Sequence, residues 1–256
     1  MTTGKSSLSL IVFLVVGGFI ALAPKPLSGQ GYGEDFMFHQ PKVTLSFNLG
    51  YGLPTAGSDL FDWIQDEFTL EKGDFRAPVI GGGISLFMND RVDLAFDFSY
   101  SKSSTWSEYT DFVGGDDLPI EQETQFTRVP VTASFRYFLV DRGRGIGSLS
   151  WIPTRWAPYV GAGGGRMFYK FQQSGEFINF QFEDWPIYND TILSEGWAWV
   201  GHVFGGVQWA LSPQWVVTAE GRYSLADADL DRNAFGGFEP IDLSGFHGTV
   251  GFGIRF

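Results

Sequence analysis

The sequence predicts an all-β fold: an eight-stranded antiparallel up-and-down transmembrane β-barrel. Three observations predict it. Aromatic residues make up 17% of the chain and charged residues only 18%, a balance unusual for a soluble protein, which must bury its aromatic rings. Apolar and small or polar residues alternate with a period of two in successive segments. The connections between those segments are mostly long at one end and short at the other, the plan of a meander threaded through a bilayer.

The chain opens on a segment that reads as an export signal, residues 1–30. Lys5 supplies a positive start, and Leu8–Leu22 is an apolar run of 15 residues, short for a spanning helix. Ala21-Leu22-Ala23 has the small-x-small form, but Pro24 opposes cleavage there. The mature start is expected between Pro24 and Gly31, leaving 31–256 as one barrel domain. Cysteine is absent and there are three His, so neither a disulfide framework nor a thiolate metal site is available. A net charge of −12 excludes nucleic acid as a partner. No cofactor or metal is expected.

Each strand is justified by its alternation. The first, about Lys42–Tyr51, sets Val43, Leu45, Phe47 and Leu49 against Thr44, Ser46, Asn48 and Gly50. The second, about Pro78–Met88, is weaker and rich in glycine at Gly81-Gly82-Gly83. The third sets Val92, Leu94, Phe96, Phe98 and Tyr100 against Asp93, Ala95, Asp97, Ser99 and Ser101. The fourth, about Thr124–Leu139, sets Val129, Val131, Phe135 and Tyr137 against Arg128, Thr132, Ser134 and Arg136. The fifth (about Trp156–Phe171) and sixth (about Gly196–Leu211) are also glycine-rich, which suits the bending of a narrow barrel. The seventh sets Trp215, Val217 and Tyr223 against Thr218, Glu220, Arg222 and Ser224. The eighth sets Phe246, Val250, Phe252, Ile254 and Phe256 against His247, Thr249, Gly251, Gly253 and Arg255. Pro130 and Pro158 count against the pattern, because each removes a ladder bond or marks a bulge.

Two connections are short, Asn89-Asp90-Arg91 and Ser212-Pro213-Gln214, and would place Met88 opposite Val92 and Leu211 opposite Trp215. The segment Val140–Arg155 breaks the rule by being long, with no evident reason. The four other connections are acidic: twenty-two acids against four bases across 52–77, 102–123, 172–195 and 225–243. Exposed, soluble loops account for that charge.

Alternation alone does not say which face points inward. An eight-stranded interior only just holds side chains, so the small and polar set fits inside and the large apolar set belongs outside. Tyr51, Tyr100, Tyr169, Trp197 and Tyr223 would form one aromatic girdle, and Tyr137, Trp156, Tyr159, Trp209 and Trp215 the other. Charged lumen residues need partners. Asp93, Asp97 and Glu220 face in, as do Arg128, Arg136, Arg222 and Arg255, with Asp93–Arg136 and Asp97–Arg128 as candidate pairs across adjacent strands. The expectation is a largely plugged, salt-bridged lumen.

Phe256, preceded by Phe252 and Ile254 at two-residue steps, resembles the C-terminal assembly signal of bacterial outer-membrane proteins. With the leader and the eight strands, the chain looks like a member of the outer-membrane protein A-type barrel superfamily, which includes OmpX-like and OmpW-like barrels. That resemblance implies the bacterial outer membrane as location, with outer-membrane lipids and the barrel-assembly machinery as partners. It also raises an enzymatic alternative, because some barrels of this size modify lipid A. His202 would lie opposite Ser224, with Glu220 and His247 nearby, but the family motifs do not match and no enzyme is expected. Asp227-x-Asp229-x-Asp231 begins like a calcium loop but has Arg232 where glycine is needed and Phe238 at its twelfth position. Gly161-x-Gly163-Gly164-Gly165 has no helix after it to bind phosphate and reads as barrel bending. The leading function is a structural or surface-contact barrel. The alternatives are a narrow channel or an OmpW-like path for small hydrophobic molecules, and then a lipid A-modifying enzyme.

Overall fold

The computed structural model describes residues 36–114, 117–146, 150–179 and 185–256. The expected export signal lies outside them. Eight antiparallel strands close into a barrel: β1 (Val43–Pro54), β2 (Ala77–Asn89), β3 (Val92–Val113), β4 (Pro119–Phe138), β5 (Trp156–Ile178), β6 (Ile187–Ala210), β7 (Trp215–Leu225) and β8 (Gly245–Arg255). Each strand pairs with its neighbours in sequence, and β8 closes on β1, with Phe47 opposite Phe252. Closure removes the exposed edges that a sheet in lipid cannot tolerate.

β3 to β6 are much longer than their alternation predicts, running 20 to 24 residues. Most of 102–123 and 172–195, expected as acidic loops, is strand. The alternation does not stop at the membrane edge; its outward members become polar. Above the bilayer the two faces exchange character. Phe126 and Phe171 point inward and are buried, while Lys102, Glu108 and Gln172 share the outward parity of their strands.

The mouth on that side is covered by two connections. The 55–76 segment forms helix α1 (Asp59–Glu67) and a 3-10 turn at Lys72–Phe75. Leu60, Phe61 and Ile64 fall on one face of α1 and are fully buried. They pack on the inward rings of the strands, with Phe61 at 5.7 Å from Phe126 and 6.0 Å from Phe171. The 226–244 segment adds Leu230, Phe235, Ile241 and Leu243 to the same cluster. Asp59 ties the two connections by accepting from the Glu239 amide.

At the opposite end the turns are tight. Asn89 rather than Met88 opposes Val92, because a bulge at Met88 leaves a two-residue turn; the Asn89 side chain accepts the Arg91 amide at 2.9 Å. Leu211 does meet Trp215, through an amide-to-carbonyl bond of 2.9 Å. The long 139–155 connection folds into a small ladder, 143–146 against 150–153. Its Trp151 is buried and exchanges two backbone bonds with Met37, so this segment lies across the barrel's short-turn end.

Candidate functional site

The outer wall decides where the protein resides. Phe47, Leu49, Ile80, Phe96, Val131, Phe135, Val160, Val203, Val250 and Phe252 all point away from the lumen and are exposed. A closed barrel with this apolar band and a charged interior is stable only in a bilayer. The chain is an eight-stranded transmembrane β-barrel.

The barrel carries Tyr51, Trp197 and Tyr223 outward near its loop-bearing end, and Tyr137, Trp156 and Trp215 outward near the other. Trp156 stacks on Trp209, and Trp215 on Phe252. Tyr159 and Tyr169, expected in these girdles, are each 2% exposed and face inward. They share the inward parity of Ala157, Gly161 and Met167, and a one-residue misreading exchanges the faces. Phe252, Ile254 and Phe256 lie on the lipid side of the last strand; Phe252 and Phe256 are exposed.

The lumen holds its charge in two tiers. In the lower, Asp93 binds Arg142 at 2.7 Å, with both side chains almost fully buried. Arg142 comes from the 139–155 connection, and its guanidinium lies between the rings of Phe87 and Phe138, 4.4 and 4.7 Å from their centroids. Arg136 stands opposite Asp93 in the ladder, yet its ion partner is Glu220 at 3.6 Å. Arg255 bonds Gln208 at 2.6 Å and faces the Trp151 ring.

The second tier crosses the lumen. Arg222 bridges Glu220 at 2.9 Å and Asp97 at 3.1 Å, and Tyr159 donates to Glu220 at 2.9 Å. Arg136 covers the Tyr159 ring, and Arg222 the Phe204 ring. These rings need room that glycine supplies: a Cβ on Gly206 would stand 2.7 Å from the Tyr159 hydroxyl. The interior is therefore not filled by small and polar residues alone. Large rings occupy the space that inward glycines leave.

Thus Asp97, Arg136, Glu220 and Arg222 form one network, and Asp93 pairs with a residue outside the expected set. Arg128 does not reach Asp97, whose ladder partner is Thr132. It instead donates to the Leu243 carbonyl at 3.3 Å, just under the apolar cap. Arg142 escaped sequence reasoning because it sits in a loop; its signal was the excess of arginine in 140–155.

His202 lies opposite Ser224 in the ladder, but its hydrogen bond crosses to Ser134, Oγ to Nε2 at 2.8 Å. Its Nδ1 is buried without a hydrogen-bond partner, so no carboxylate orients the ring. Asp227 sits in a two-residue ladder with Asp242, and Asp231 accepts the Asn233 amide. Among the described residues no set of three His, Asp or Glu converges on a metal position.

Around the charge network lies a cavity of about 50 Å³, whose lining runs from Thr44, Ser85 and Gln208 past Asp97 and Arg222 to His247, room for a few waters. Phe98, Ser99 and Pro130 also line it. There the β3–β4 ladder lapses: pairing runs to Phe98–Val131 and resumes at Ser101–Arg128. Pro130, without an N–H, cannot bond across the gap. Pro158 falls at the beginning of β5, where its carbonyl accepts from Leu139.

No family model matches the chain, and no curated protein matches it. Solved structures resemble it at low identity. Neisserial surface protein A is 13% identical over 87% of this chain and 98% of its own, with a TM-score of 0.44. The outer membrane protein OprG of Pseudomonas aeruginosa is 12% identical over 85% and 97%, also at 0.44. Ail, the attachment invasion locus protein of Yersinia pestis, is 13% identical over 85% and 100%, at 0.42.

Proposed function

We propose that this barrel is closed to ions along its axis, is not an enzyme, and serves the outer membrane as a structural or surface-contact protein. The observation that carries the reading is the double closure. Arg142 with Asp93 occupies the lower lumen, and the Asp97–Arg222–Glu220–Arg136 chain crosses the middle. Above them α1 seats Phe61 against the strand rings. Hydrated ions would have to displace buried ion pairs and then an apolar core, each step unfavourable. The unpartnered Nδ1 of His202 supports the non-enzymatic reading, because a serine nucleophile needs an oriented base. Planar-bilayer recording on the refolded chain tests closure. The expected trace has no steady conductance; a large open pore would refute it.

The β3–β4 lapse favours a second reading, passage of small apolar molecules from the upper interior sideways into the membrane. The upper interior is apolar, and Pro130 sits where it meets the wall. Vesicle-reconstituted protein would then speed transfer of a small apolar dye, and Pro130→Ala, which restores an N–H to the wall, would slow it. Equal rates with and without protein would remove this reading.

A further inference from the structure

Three cations stand apart from the rest of the described surface. Lys102, Arg166 and Lys170 share outward parity on one face of the wall, on β3 and β5 with β4 between them. Thr127 pairs with Lys102 on one side and Lys170 on the other. The two ammonium stems therefore start two strand spacings apart, about 10 Å. Arg166 lies two steps of alternation lower on β5, opposite Trp199.

Their height follows from the strands. A spanning strand takes about 9–11 residues. Counted from Val92 on β3 and Trp156 on β5, that length ends near Ser101 and Arg166, so Lys102 and Arg166 sit at the upper edge of the apolar band and Lys170 stands four residues above it. Arg166 is exposed among Val131 and Trp199, in a row where an uncompensated cation is unfavourable. It is held rather than loose. Its guanidinium lies 4.8 Å from the Trp199 centroid and donates to the Trp197 carbonyl at 3.5 Å. None of the three belongs to an ion pair among the described residues. Glu195 is the ladder neighbour of Lys170, and Glu123 lies near Lys102, yet neither closes a bridge. Above this band the outward surface and loops are strongly acidic, so the cations do not serve general surface charge.

We propose that this face binds the phosphate groups of an outer-leaflet glycolipid, with Arg166 as a planar donor and Lys102 and Lys170 as point charges. Trp197 and Trp199, both exposed, lie along the acyl chains and interfacial sugars beneath the phosphates. Arginine suits the position because its fork matches phosphate oxygens and its plane stacks on indole. Two phosphates carried on one headgroup, as in lipid A, can be engaged together by separated cations of this kind.

The test is lipid retention by the refolded full chain, measured by native mass spectrometry from mixed micelles. The probes are bisphosphorylated lipid A, the same lipid after phosphatase treatment, and phosphatidylcholine. The expected result is retention of lipid A at least about tenfold above the dephosphorylated form. The triple variant K102Q/R166Q/K170Q is expected to lose that preference, and the control R144Q/R155Q to keep it. Millimolar inorganic phosphate is expected to leave retention in place. Equal retention of both glycolipids, unchanged retention by the triple variant, or full displacement by inorganic phosphate would each overturn the proposal. Should the triple variant not fold, Arg166→Lys decides the matter: charge is kept while the stacked fork is lost, and an unchanged preference counts against the site.

Discussion

Replacing Asp93 by Asn should destabilise the barrel more than the same change at Asp97. Asp93 accepts from Arg142 at 2.7 Å, and the two side chains are 2% and 7% exposed. Arg136 and Arg255 also act on it electrostatically. Asparagine keeps the volume and removes the charge, leaving Arg142 between two phenylalanine rings with no counter-ion. Breaking a buried pair in this way costs about 3–5 kcal/mol. Asp97→Asn is the matched control. Arg222 loses Asp97 but keeps Glu220 at 2.9 Å, so the loss should be smaller, about 1.5–3 kcal/mol for one charged hydrogen bond. Adding Arg142→Met to Asp93→Asn should recover most of the loss, because methionine fills the slot between Phe87 and Phe138 without charge. Urea unfolding in lipid vesicles, followed by tryptophan fluorescence, measures all three. Equal losses for Asp93→Asn and Asp97→Asn, or no recovery in the double variant, would refute the assignment of Arg142 to the lower lumen.

Three further outcomes are expected. Phe61→Ala removes the ring that joins α1 to Phe75, Phe126 and Phe171, a loss of about 3–5 kcal/mol; trypsin should then cut faster at Lys72 and Arg76 while the membrane-embedded fragment survives. The Ser104 hydroxyl, bonded to Glu123 above the membrane, holds that carboxyl below its ordinary value. Ser104→Ala should raise it in an NMR titration; the small stability it lends is present above the ordinary carboxylate range and fades as pH falls through the lowered value. Ser134→Ala and His202→Gln should leave the mass spectrum of cellular lipid A unchanged, and an altered profile would restore the enzymatic alternative.

Much of the barrel was legible in the sequence because alternation in lipid is strict. Val92 to Ser101 could be assigned to two faces by inspection, and the Leu211–Trp215 turn fixed His202 opposite Ser224. Three things were not legible. The strand extensions escaped because Ser103, Thr105 and Ser107 alternate with Ser104, Trp106 and Glu108, a contrast too weak to mark a strand. Helix α1 was read as acidic loop, although Leu60, Phe61 and Ile64 carry helical spacing; four acids among its nine residues obscure it. Lumen partnerships were misassigned because they cross the barrel. Arg222 and Asp97 are 125 residues apart, and Ser134 meets His202 across two intervening ladders. Ladder neighbours are deducible from turn lengths, whereas partners across a lumen depend on strand tilt and on which ring fills the centre.

The reach of the long strands has a consequence for access. β5 has 23 residues, which at about 3.4 Å each and a tilt near 40° rise about 60 Å. The apolar band takes up about 25 Å of that height, so its tip stands on the order of 30 Å clear of the lipid. Inner saccharides anchored beside the wall would be overtopped. A large water-soluble molecule approaching from that side would meet the ends of β5 and β6 before it reached the lipid surface.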